Sequence, residues 1–171
     1  GRVGYGQPSE IAFAIAPESL GFWLTRALRY NVAATGPTHE FGEPVIRLKD
    51  PDGVIVKLVG SDAVTSPSPH VTTDIPQEDA IKRLRGATIL TATPDGTAAF
   101  VTRHFGYAEA ERTDAIRRLV SGSGDIIDVR DAGGFWTSAP GTGTIDHIAF
   151  RAANVAAVKD LRTELEAEDA G

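Results

Sequence analysis

No cysteine occurs among the 171 residues of the chain. That excludes disulfides, thiolate nucleophiles and cysteine-ligated zinc, and it fits a cytoplasmic protein. Methionine is missing too, the first position included. Gly1 is therefore expected not to be the natural initiator, and the chain to be a piece of something longer. No apolar run approaches the roughly 20 residues that a bilayer-spanning helix needs. The opening "GRVGYGQ" lacks the apolar centre of a signal peptide. Clusters of lysine and arginine are missing as well: the formal net charge is −6 and the charges are scattered. This argues against a nucleic-acid surface, which needs gathered basic residues, and against a polybasic membrane patch. Apolar residues make up 42% of the chain, enough for a real core in one domain or two small ones.

The pattern present is a repeat. "SEIAFAIA" is an apolar run of strand length. The stretch "PESLGFWLTRALRY" then changes period, and Leu20, Trp23, Leu24, Ala27 and Leu28 share one helical face. Pro17 and Glu18 suit its first turn. "NVAATGPTHEFG" predicts a strand interrupted at Gly36-Pro37. "PVIRLKDPDGVIVKLVG" predicts a hairpin, with "DPDG" supplying a preset φ and a glycine at the turn. A Ser-, Thr- and Pro-rich connection follows, with a short helix expected around "PQEDAIKRL". The order then recurs. "GATILTA" is a strand. "PDGTAAFVTRHFGY" is a helix with Phe100, Val101, His104 and Phe105 on one side and Gly106 as its left-handed cap. "AEAERTDAIRRLVSG" offers two strands around Thr113-Asp114, and "GDIIDVRDA" a fourth. After a Gly-rich link, "GTIDHIAFRA" aligns with "GQPSEIAFAI" without a gap, Gly143 against Gly6. A helix capped by Asn154 follows, with Val155, Val158, Leu161 and Leu165 on one face.

The fold class expected is thus α+β: repeated βαβββ units forming a cupped mixed sheet, or half-barrels, with a truncated third unit. The first unit spans 6–60, a linker 61–85, the second unit 86–133, and the strand and helix opening a further unit 143–171. Such a unit leaves an edge and an apolar face open, so it pairs with another. The unfinished third unit should find cover from missing parts of the chain or from another copy of it, a homo-oligomer.

"SEIAFAI", "DPDGVIVKLVG" and "GTIDHIAFRA", set in repeated βαβββ units, resemble the vicinal-oxygen-chelate superfamily of glyoxalase I, bleomycin-resistance proteins and extradiol dioxygenases. The layout is most similar to its four-unit ring-cleaving dioxygenases, with this chain covering the second unit, the third and the beginning of the fourth. The resemblance implies a metalloenzyme acting on a small aromatic substrate, an aromatic diol or hydroquinone. It also implies Fe(II) or another divalent metal held by two histidines and a carboxylate, with positions left open for substrate and dioxygen. One ligand position matches, His147. Asp146 stands where this group usually has another histidine, and it can still accept a hydrogen bond.

At the position aligned with His147 the first unit has Glu10. Lys57 stands where a metal-binding unit has glutamate, and Thr88 and Asp128 occupy the corresponding places of the next unit. These four are not a His-His-Glu site, and a cation at Lys57 would repel a metal. The paired units are therefore expected to be structural, or to hold a pocket without metal. An internal ion pair between Glu10 and Lys57 is one expectation; a solvent-facing side chain at either is the other. The alternative function is a metal-free small-molecule binding protein of the bleomycin-resistance type.

Other polar residues carry blander readings. His104 is read as half-buried packing, and His39 and His70, in loop-like contexts, are given no role. Trp23 is helix core; Trp136 would line a pocket or, better, cover a barrel edge. Asp125 and Asp128 have no histidine near them in sequence, and "GSGDIID" lacks the Lys-Ser/Thr of a phosphate loop.

Overall fold

The computed structural model describes residues 1–64 and 72–169. The first unit comprises β1 (Gln7–Ile15), α1 (Leu20–Arg29), β2 (Ala33–Glu40), β3 (Glu43–Lys49) and β4 (Ile55–Gly60). The second comprises β5 (Arg83–Thr91), α2 (Pro94–Phe105), β6 (Ala108–Arg112), β7 (Ile116–Val120) and β8 (Ile126–Asp131), and α3 (Val155–Ala167) lies beyond them. All eight strands join one curled sheet in the order β2-β3-β4-β1-β5-β8-β7-β6. Each unit pairs its first strand with its last in parallel, and β1 meets β5 antiparallel at the centre. Two units that each lack an edge partner thereby close on each other.

Strand alternation divides the side chains between two faces. Ile15, Ile46 and Leu58 point outward and pack under Leu20 and Trp23 of α1. Ala87, Leu119, Ile127 and Val129 do the same under Ala98 and Val101 of α2. The residues between them, Glu10, Ala12, Arg47, Lys57, Val59, Thr88, Arg118 and Asp128, therefore belong to the inner face. The Trp23 indole N–H donates to the Asp79 carbonyl at 2.9 Å, satisfying its polar end inside the helix core. The "DPDG" turn forms as expected: the Asp50 carboxylate accepts from the Gly53 and Val54 amides at 2.7 and 2.8 Å, and Gly53 takes φ +106°. Gly106 ends α2 in the left-handed conformation, and the Asn154 side chain caps α3 by accepting from the Ala157 amide at 2.9 Å.

Several expectations are corrected. The residues of "TIDHIAFRA", 144–152, form no strand. A strand needs a neighbour for its backbone groups, and none stands beside it among the described residues. The same segment instead lies against α2, where Phe150 stacks on Phe105 with ring centroids 4.0 Å apart. The helix expected near 76–84 is a single 3-10 turn, Gln77–Asp79, because β5 already starts at Arg83. Leu28 is 82% exposed, so the buried stripe of α1 is narrower than its periodicity. Val155 and Val158 are exposed too, and α3 has no buried residue. Trp136, expected to line a pocket or cover an edge, is 78% exposed, so its ring is not buried among the described residues. His39 lies in β2, exposed, rather than in a loop. His70 and the connection around it fall outside the described residues.

Candidate functional site

The inner face of the sheet brings the four positions Glu10, Lys57, Thr88 and Asp128 together, because register places them there. Glu10 is opposite Thr88, Thr88 opposite Asp128, and Lys57 opposite Ala12, two residues along β1 from Glu10. The Lys57 ammonium lies 2.8 Å from Asp128 Oδ2, 3.2 Å from Glu40 Oε2 and 3.8 Å from Glu10 Oε2. Thr88 Oγ1 donates to Glu10 Oε2 at 3.1 Å. A fixed cation thus stands among three carboxylates, the position an ion would take. The residues present do not fit a metal at this place, because the lysine supplies the positive charge itself.

A second ring completes the arrangement. Arg47, opposite Lys57 in β3, donates to Glu10 at 2.7 Å and also to Glu40. Arg118, opposite Asp128 in β7, holds both its oxygens at 2.8 and 2.9 Å and reaches Glu43 at 2.8 Å. Arg85 meets Glu43 at 3.1 Å, and the Phe41 ring lies 4.5 Å from the Arg118 guanidinium. Arg47, Lys57, Arg85 and Arg118 are thereby matched by Glu10, Glu40, Glu43 and Asp128.

Burial alone would raise the Asp128 carboxyl, but the Arg118 hydrogen bonds and the charges of Lys57 and Arg118 hold it below its ordinary 3.8. Glu40 is likewise held down against burial, by the Lys57 charge and the Arg47 hydrogen bond. Arg47 and Arg118 are held above their ordinary value by their carboxylates, again against burial. The side chains of Lys57 and Asp128 are each 1% exposed. For such a pair the desolvation penalty and the attraction nearly offset each other, whereas removing one partner costs about 3–5 kcal/mol.

His147 lies elsewhere. Its side chain is 76% exposed, and Nδ1 is 2.8 Å from Asp146 Oδ2. The structure therefore does not bring His147 together with Glu10, Lys57, Thr88 and Asp128 in one centre. Asp125 makes a surface pair with Arg83. His104 is more enclosed than its expected half-buried packing: its side chain is 1% exposed, beside Phe100 and facing Glu164 of α3 and its C-cap Glu168. Among the described residues, His104, Glu164 and Glu168 are the group of histidine and carboxylate side chains close enough to share an ion.

Of the expected interactions, the Glu10–Lys57 pair is present as the longest contact of a larger network. Sequence reasoning missed Glu40, Glu43, Arg47, Arg85 and Arg118. The signal available was an arginine at an inward position of an otherwise apolar strand, as in "VIRL" and "IRRLV".

No protein-family model matches the chain. It is 30% identical over 159 residues to MhqE of Bacillus subtilis (strain 168), inferred to be a ring-cleaving dioxygenase; the match covers 88% of this chain and 50% of MhqE. The chain thus spans about half the length of that relative. A crystal structure of an inferred dioxygenase from Bacillus subtilis subsp. subtilis str. 168 superposes with a TM-score of 0.87 at 25% identity, covering 97% of this chain and 53% of that one. A glyoxalase I variant from Zea mays shares the fold, with a TM-score of 0.61 at 14% identity over 95% of this chain and 56% of its own. With its paired βαβββ units, eight-stranded curled sheet and these relatives, the chain belongs to the vicinal-oxygen-chelate superfamily.

Proposed function

We propose that this chain is part of a ring-cleaving, extradiol-type dioxygenase or glyoxalase-like metalloenzyme acting on aromatic diols or hydroquinones, with His147 as one of its metal ligands. The observation that carries the reading is the contact between His147 Nδ1 and Asp146. A carboxylate on one ring nitrogen fixes the tautomer and the ring plane, leaving Nε2 as the electron-pair donor. One imidazole does not hold an ion by itself, so the remaining ligands come from segments not in this chain. Fe(II) or another divalent ion, when bound, would supply open positions where two neighbouring substrate oxygens and dioxygen meet.

The two paired units have a different task in this reading. Their inner face is filled by matched charges, so they form a rigid base from which the segment carrying His147 departs. Oxygen uptake by the full-length protein loaded anaerobically with Fe(II), measured with hydroquinones and catechols, tests the proposal. Turnover that His147→Ala abolishes supports it; no uptake by metal-loaded protein rejects it.

Lys57 favours a second reading, a metal-free binding module of the bleomycin-resistance type, because its ammonium stands where a ligand would be needed. A rise in melting temperature with planar aromatic ligands, without turnover, would select this reading over the first.

A further inference from the structure

A second group of side chains meets the requirements of a cation site and lies where α3 rests on α2. His104 lies in the last turn of α2; Glu164 is in the last turn of α3, and Glu168, four residues on, is its C-cap. Each of the three offers a ligand atom within 4.8 Å of the others. The imidazole is the fixed member, with a side chain 1% exposed, while the two glutamates are partly exposed and adjustable.

The condition of the imidazole points to a ligand. Among the described residues His104 Nδ1 is buried and makes no hydrogen bond. Glu164 Oε1 is only 3.1 Å from it, but off the ring N–H direction. A buried polar nitrogen left this way carries its desolvation cost without compensation. Two ligands of one tetrahedral zinc, each about 2 Å from the metal, stand roughly 3.3 Å apart. The 3.1 Å contact between Nδ1 and Glu164 is of that size, and Glu168 Oε2 stands 3.4 Å from the other ring nitrogen, Nε2. Glu168 uses Oε1 for Arg103 and turns Oε2 toward His104, so the arginine does not take the oxygen a cation needs.

We propose that His104, Glu164 and Glu168 bind a divalent transition cation of the zinc type, with His104 Nδ1 as the nitrogen ligand and water completing the shell. The cation fastens α3 to α2. This fits a helix that has no buried residue of its own and whose preceding segment packs through Ile148 and Phe150. The proposal is independent of the reading of His147.

The test uses the tag-free full chain, stripped by chelation, with Zn²⁺ titrated by calorimetry and Co²⁺ followed by its visible absorption. The wild-type chain and His147→Gln should each bind one equivalent at this site, with tetrahedral Co²⁺ bands and a Zn²⁺-dependent rise in melting temperature. His104→Gln and Glu164→Gln should each weaken that binding at least about tenfold, the scale that even outer partners of a metal site reach. Glu164 is half exposed, so its variant keeps the test decisive if His104→Gln does not fold. No saturable binding, or binding unchanged in Glu164→Gln, would overturn the proposal and leave the group as a histidine–carboxylate contact.

Discussion

Gly6 and Gly143 both take left-handed φ, +89° and +81°, and each introduces the same Ile-Ala-Phe opening; beyond that the two copies part. The first copy becomes β1, paired on both sides, and carries Glu10 into the inner face of the sheet. The second forms no strand, and the aligned His147 stands in solvent. Similar residues thus reach opposite environments because a strand is made by its neighbours. Where β4 and β5 supply ladders on both sides, side-chain alternation has a fixed meaning. Where none is present, Ile148 and Phe150 instead pack on the apolar cluster under α2. The same contrast holds for charge: on the inner face of the sheet Glu10, Glu40, Glu43 and Asp128 each meet a cation, whereas Asp146 and His147 are exposed and contact each other.

The sharpest way to break the contrast is to spoil the buried side of it. Asp128→Ala removes three hydrogen bonds shared by Lys57 and Arg118. It should lower unfolding free energy by about 3–5 kcal/mol, because both cations lose a buried partner; denaturant titration measures this. Lys57→Glu should destabilise comparably by placing a fourth carboxylate among Glu10, Glu40 and Asp128. Unlike Asp128→Ala, it should regain melting temperature with Mn²⁺ or Ca²⁺, ions that accept oxygen ligands. Absence of that recovery would contradict the view that the ammonium stands in for a cation.

Acid should act next, through the carboxylates of the inner face. Asp128 and Glu40 have folded-state values below their ordinary ones. Their contribution is therefore complete above the unfolded value, near pH 4, and is lost as pH falls through the lower folded value. Stability should change little through these two groups from neutrality to about pH 5 and drop below pH 4, while their neutral variants flatten that limb.

The smaller effects belong to the other region. Phe150→Ala removes a stacked ring, worth about 0.5–1.5 kcal/mol beyond its buried area. It should raise hydrogen exchange in residues 144–169 while leaving protection in β1 and β5 intact. Asp146→Asn should leave the melting temperature of this chain unchanged, its side chain being exposed. In the full-length protein it should reduce metal affinity about 10–100-fold if His147 is a ligand oriented by that carboxylate.

The repeated strand and helix order was legible in the chain because both signals are local. Trp23 and Ala27 announce the buried stripe of α1, and "DPDG" specifies its own turn. The same locality explains the failures. Leu28 fits the helical period but lies outside the area that the sheet covers, and "TIDHIAF" has the pattern of a strand without the partner. Within the candidate site, the unsuitability of Glu10, Lys57, Thr88 and Asp128 for metal was readable from their chemistry. The ring of Arg47, Arg118, Glu40 and Glu43 was not, since these residues lie on separate strands and meet only through sheet order.

Residue type and spacing by themselves determined the units, their caps and turns, and which inward positions carry no imidazole, because each depends on a few neighbouring residues. Tertiary structure alone decided which charges neutralise one another, that His104 is enclosed by α3, and that His147 is not enclosed at all. Those outcomes depend on register between strands distant in sequence and on which surfaces find a cover, and no local pattern encodes either.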